Sequence, residues 1–297
     1  LKYKPKIKKI KNYLPNFKEF IDLKDHEILI NYKKNKLEIN GEGQIIIENI
    51  EEKIKYKVKK KNNRYIFETN LKIYEKLLID VLQYKKNKSV ESQIKFKGIY
   101  DKKKGIKFDS VSIEENDNIF LIKNLILNEK FKIISIESLV LKYLNSENIK
   151  NNFSLKKNKK NYEIKGKNLD ATKLIDRILN NNEEDESSIF FDLNSNIKIK
   201  INRTFLDKET FINNLNGIIN FKNNKLDKLD LVSTFPNNGK LTLTINTNSK
   251  NEKITTLFSN YPKPLVKQYK FVKGFEEGVL DFYSTKKNGV SKSLLVI

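Results

Sequence analysis

Few side chains in this sequence could carry covalent or metal chemistry. His26 is the single histidine among 297 residues and cysteine is absent. Thiolate nucleophiles, disulfide scaffolds and multi-histidine metal sites therefore have nothing to build on. His26 follows Asp25 but has no second histidine to work with, so a surface imidazole is expected. The run Glu183-Glu184-Asp185-Glu186 could attract a cation, yet it lacks the glycine-shaped loop that arranges ligands around calcium, and it reads as solvated. Gly41-Glu42-Gly43 carries a glutamate between its glycines and no helix after them, which predicts a turn or bulge in place of a phosphate loop. Gly239-Lys240 lacks the upstream glycine spacing and the following Ser or Thr of such a loop, and a hairpin turn is expected there too. No nucleophile has a recognisable base. The expectation is a non-enzymatic protein: no catalytic residue, no metal site and no cofactor.

Charge gives two readings. The net charge is +22, which by itself suggests nucleic acid or an anionic membrane. However, Met, Trp and Cys are missing, Ala171 is the only alanine, and Lys, Asn, Ile and Phe abound, a bias that A/T-rich codons would produce. Only Arg64, Arg177 and Arg203 are arginine, whereas recognition of phosphates and bases leans on arginine's bidentate fork. The lysines are read as a solvated surface, and no nucleic-acid partner is expected.

Period-2 alternation dominates the elements that would position any site. Residues 53–59, 94–97, 197–201 and 241–245 alternate apolar with polar side chains. Successive strand side chains point to opposite faces, so each segment has one oily and one wet face, as in antiparallel sheet covered on a single side. Turn-forming clusters lie between strands at 61–63, 102–105, 223–225, 236–239 and 286–289, rich in the Asn and Gly that tolerate positive φ. Three segments carry helical spacing: 70–84, 169–179 with Asp170 or Thr172 as cap, and 254–272 interrupted by Pro262 and Pro264. Each follows a hairpin, which makes a weak structural repeat. The fold class expected is mainly β: a long antiparallel meander with a few short amphipathic helices.

The longest apolar region, 119–144, is cut by Lys123, Asn128, Glu129, Lys130, Lys132 and Glu137, so it does not span a bilayer. The chain starts at Leu1-Lys2-Tyr3 without an initiator methionine and stops inside a predicted strand, so the expectation is a fragment with any anchor upstream of it. Residues 1–20 are expected to form a basic connector, 21–150 one β segment, and 151–297 a second that continues beyond the C-terminus. The polar, acidic stretch 180–188 reads as an exposed loop and a candidate boundary.

Serial amphipathic strands can meet face to face in a closed sandwich, or stay open as a curved, taco-like sheet whose oily face is a groove for acyl chains. The C-terminal stretch resembles one known family. Lys253-Ile254-Thr255-Thr256-Leu257-Phe258, Leu265-Val266-Lys267-Gln268-Tyr269 and the Gly274-x-x-x-Gly278-x-Leu280 pattern are similar to a recurring helix, turn and hairpin of bacterial AsmA-like envelope proteins of the YhdP and TamB type. Asn168-Leu169-Asp170-Ala171 resembles the family's entry into a helix, and residues 215–243 its repeated strand unit. The resemblance covers 153–297, and 20–150 by architecture only. It implies a periplasmic β-groove, anchored in the inner membrane by a segment not in this chain. The implied role is moving phospholipid toward the outer membrane and maintaining that membrane's integrity. The partners would be phospholipid acyl chains. In an open groove the lining would be Ile54, Tyr56, Val58, Ile94, Phe96, Ile197, Ile199, Ile201, Leu241, Leu243 and Ile245. The alternatives are an envelope scaffold with a closed β core and a basic β protein that binds polyanions or nucleic acid.

Overall fold

The structure is a computed structural model and describes residues 2–3, 13–15, 20–34, 36–47, 50–129, 133–179, 195–222, 225–269 and 277–296. It divides into two units, Leu1–Lys150 and Asn151–Ile297. Both are built from open, mainly antiparallel sheet.

The first unit runs β1 (Lys2–Tyr3), β2 (Ile21–Lys33), β3 (Lys36–Ile47), β4 (Ile50–Lys61), β5 (Arg64–Ile73), β6 (Leu77–Ile79), β7 (Tyr84–Lys86), β8 (Ser92–Asp101), β9 (Gly105–Glu115), β10 (Asn118–Leu127), β11 (Ile133–Ser135) and β12 (Ser138–Leu144). Chain neighbours pair antiparallel from β1 to β5. β5 then skips to β8, so β6 and β7 form a separate ribbon, and the sheet continues through β9 and β10 to β11 and β12.

The second unit carries β13 (Lys150–Asn158), β14 (Asn161–Asp170), α1 (Thr172–Leu179), β15 (Ser195–Phe205), β16 (Phe211–Lys222), β17 (Lys225–Thr234), β18 (Lys240–Thr247), β19 (Lys253–Ser259), α2 (Lys263–Tyr269), β20 (Leu280–Lys287) and β21 (Val290–Val296). Every neighbour pair is antiparallel except β14 with β15, which run parallel. Parallel neighbours need a crossover of a dozen or more residues, and the chain that includes α1 supplies it.

The predicted turns reflect local chemistry. Asn62, Asn238 and Asn288 all adopt positive φ. At the β20–β21 hairpin both Asn288 (φ 49) and Gly289 (φ 81) do so, the backbone that a two-residue type I′ turn requires. Asn223 and Asn224 lie outside the described residues, as do most of 1–20 and the whole acidic stretch 180–188.

Helix spacing misleads in two of three places. Residues 70–84 are not a helix: β5 runs to Ile73, and β6, a single 3-10 turn at Asp80–Leu82 and β7 follow. Leu71 pairs with both Ile54 and Ile94, and Leu77–Ile79 pair with Tyr84–Lys86, so strand pairing overrides the helical spacing of 71, 74, 77, 78, 81 and 82. Within 254–272, the first part is strand β19, and helix begins only after Pro262, whose carbonyl accepts the amides of Leu265 and Val266. The third helix matches its sequence signal, with the Asp170 carboxylate accepting the Thr172 amide at 3.0 Å. Gly41-Glu42-Gly43 lies inside β3 rather than in a turn; the irregularity is on the facing strand, where Asp25 takes φ 48 and the register shifts between Lys24 and Glu27.

The main core of the second unit gathers Leu169, Ile199, Ile201, Leu206, Ile212, Leu215, Phe235, Leu241 and Leu265, with Leu174 and Ile175 of α1 packed against it. Ile201 is fully buried there. Ile201→Ala should cost about 2–5 kcal/mol, read as a fall in urea midpoint, while Ile54→Ala at a half-buried position should cost clearly less. Circular dichroism should show helix far below the roughly one-third average of soluble proteins.

Candidate functional site

Strand register brings one apolar face together across the first unit. Ile39 of β3 faces Val58 of β4, which faces Phe67 of β5. One row along, Gly41, Tyr56, Thr69, Phe96 and Val111 line up on successive strands, and the next row holds Gly43, Ile54, Leu71, Ile94 and Ile113. The Phe67, Phe96 and Phe108 rings meet edge to face, with centroids 5.7–6.4 Å apart, geometry that suits the aromatic quadrupole. The Tyr56 ring packs over Gly41, where a Cβ would have to displace it. His26 sits in the same way against Gly43, half-buried, with Nε2 2.8 Å from the Gln44 carbonyl, so it is a packed imidazole and not a free surface one.

Burial along this face is uneven. Ile54, Tyr56, Val58, Phe67, Ile94, Phe96, Phe108 and Val111 are only half-buried, and Ile28 and Ile30 on β2 are 51% and 60% exposed. The opposite face is mixed: Lys55 pairs with Glu42 at 2.8 Å, and Lys57 and Lys59 both pair with Glu38 at 3.0 and 3.4 Å, while Leu29, Ile66 and Ile119 lie exposed among the charges. Such exposed pairs stabilise little, but they keep that face wet. Two depressions over β2–β5, about 420 and 760 Å³, share Glu27, Glu42, Lys55 and Asn70 in linings that are mostly charged or amide. They do not make an oily pocket. The apolar feature is an extended face.

The sequence-predicted lining residues divide accordingly. Ile54, Tyr56, Val58, Ile94 and Phe96 share the half-open face of the first unit. Ile197, Ile199, Ile201, Leu241 and Ile245 are 0–8% exposed, and Ile199, Ile201 and Leu241 belong to the core that also holds Leu265 of α2 and packs Leu174 and Ile175 of α1; Leu243 is half-buried. In the second unit the oily face is thus largely occupied by the protein itself. Its other face is not uniformly polar, since Ile218, Val232, Tyr283 and Leu294 lie exposed on it.

Sequence reasoning misses a buried polar cluster at one end of the first unit's apolar face. Glu52, the residue before the Lys53–Lys59 alternation, is 0% exposed and faces Ile45. Its two carboxylate oxygens accept the amides of Tyr74 at 2.7 Å and Glu75 at 2.9 Å. Lys86 is also 0% exposed, its ammonium donating to the Glu75 carbonyl at 2.8 Å and the Asn87 carbonyl at 3.1 Å. Tyr84 donates its hydroxyl to Glu115 and packs its ring against Phe120 and Tyr143, at 4.6 and 6.0 Å. Burial raises the Glu52 pKa, opposed by its two amide donors. Burial pushes the Tyr84 phenol up, and Glu115 adds to this. A glutamate at an oily-face position of an alternating strand was the available signal.

Among the described residues there is no group of three or more His, Cys, Asp or Glu that could hold a metal, and no helix long and apolar enough to cross a membrane. No family model, curated protein or solved structure matches the chain.

The Lys86 ammonium is held below its ordinary value of 10.5, chiefly by burial, against the pull of Glu115, Glu52 and Glu75. The unfolded chain keeps that proton up to the ordinary value, so folding stability should rise with pH between the lowered value and 10.5. Lys86→Met removes this linkage. Urea unfolding at about pH 7 and about pH 10 should find the stability difference between variant and parent shifting in the parent's favour at the higher pH. A difference independent of pH would contradict the assignment.

Proposed function

We propose that this chain is a non-enzymatic β-groove segment that holds phospholipid acyl chains against the half-open apolar face of its first unit. The observation that carries this is the face itself: aliphatic and aromatic side chains in register over neighbouring strands and half-buried. Seven strands, β2 to β5 and β8 to β10, at ~4.8 Å spacing span roughly 30 Å, ample for an acyl chain that fills half of a ~30 Å hydrocarbon core. Burial would supply roughly 0.8 kcal/mol per methylene without directionality, so discrimination between lipids is weak. The AsmA-like resemblance supports a periplasmic setting, with an inner-membrane anchor upstream and passage of phospholipid toward the outer membrane.

The test belongs on the first unit. A photoreactive phenylalanine analogue at position 96 should crosslink to phosphatidylethanolamine in vesicles, and Ile30→Asp, at a 60% exposed position of the same face, should remain folded yet lose lipid, because a charge on an oily surface is costly to desolvate. Ile199→Asp, in the core of the second unit, should instead lower the melting temperature sharply. No crosslink at position 96 in a folded protein would remove the lipid reading.

A further inference from the structure

β5 and β8 are direct neighbours, pairing from Arg64 with Asp101 to Ile73 with Ser92. A short turn would join them. Instead residues 74–91 leave the sheet and fold as the β6–β7 ribbon over the end of the apolar face, burying Leu77, Tyr84 and Lys86. Among the described residues the ribbon's strands pair only with each other, and it is fastened to the rest by polar contacts and by the Tyr84 ring on Phe120 and Tyr143. Glu52 takes the amides of Tyr74 and Glu75, Leu78 donates its amide to the Tyr13 carbonyl at 2.8 Å, and Ser146 donates to the Gln83 carbonyl at 2.8 Å. Both bends are strained for residues other than glycine, with Gln83 at φ 50 and Ser89 at φ 69. Beneath lies more apolar surface, including Ile73, Phe120 and Tyr143.

We propose that residues 74–91 are a strap, latched by Glu52, that opens as a unit and gates the closed end of the apolar face. The physical basis is an imbalance of fastenings. Strands of the sheet are held by continuous backbone ladders, whereas the β6–β7 ribbon has its ladder only with itself and is held to the sheet by the Glu52 carboxylate that accepts two amides, the Leu78 and Ser146 amide bonds, and Tyr84 against Glu115 and Phe120. Opening would expose the Tyr84, Phe120 and Tyr143 rings and lengthen the oily face beyond the row of Ile54, Leu71 and Ile94. The latch assignment stands on its own, while the gating consequence rests on the apolar face being a binding surface.

Two substitutions, at separate groups of the cluster, should act in the same direction. In Glu52→Gln one oxygen becomes an amide donor and meets a backbone donor, at nearly unchanged volume. Hydrogen exchange of the 74–91 amides should then accelerate about tenfold or more relative to β4 and β8. Binding capacity for the uncharged fluorophore N-phenylnaphthylamine should rise with it. Lys86→Met removes the ammonium that satisfies the Glu75 and Asn87 carbonyls, and should likewise speed strap exchange and raise fluorophore capacity. It also keeps the proposal testable if Glu52→Gln fails to fold. Exchange of 74–91 at the same rate as β4 and β8 in every folded form would overturn the strap. Accelerated exchange with unchanged fluorophore capacity would overturn gating. If the strap responds as described but position 96 never crosslinks to phospholipid, the lipid reading fails and the strap stands.

Discussion

Side chains alternate across a strand, so a slip of one residue between β4 and β5 would carry Ile54, Tyr56 and Val58 to the lysine face and bring Lys53, Lys55 and Lys57 to the oily one. That register constraint underlies the first unit. It is enforced at several points: the Phe67, Phe96 and Phe108 rings meet only in the observed pairing, Tyr56 fills the space that Gly41 leaves, and opposite charges on the other face meet as Lys55 with Glu42 and Lys57 with Glu38. Each contact is small, and they all select the same pairing.

The two units resolve the same amphipathic pattern differently. In the second, α1 and α2 leave the sheet and return over its apolar face, so Leu265 joins the core with Leu174 and Ile175 packed against it, and Ile199 and Ile201 are sealed. In the first, among the described residues, the ribbon of β6 and β7 returns over one end and Leu14 packs beside Ile54, Leu71 and Ile94. The middle rows stay half-open. Apolar surface left half-open over several strands is uncommon in monomeric soluble proteins and marks interaction sites, and the first unit carries such a face.

Some of the lysines have partners within the sheet. Along β4 the lysines stand on the exposed face opposite glutamates of β3, and several are paired. Buried charge is exceptional and local. Lys86 and Glu52 lie at the end of the oily face, where their desolvation is offset by main-chain partners rather than by water.

The alternation in 53–59 and 197–201 determined strand, face and sheet type, because a period of two has one structural meaning. The Asn-rich links at 62, 238 and 288 determined turns, because few other side chains accept positive φ. The Asp170 signal determined α1. Only the tertiary structure decided the fate of 70–84, whose apolar spacing suits a helix or a strand and which is settled by Leu71 pairing with Ile54 and Ile94. It also decided which oily residues are core and which remain open: Ile54 and Ile199 sit in equivalent alternating patterns and differ in what folds over them. Glu52 and Lys86 come together from separate strands, a juxtaposition set by the path of the β5–β8 connection and invisible to any local pattern.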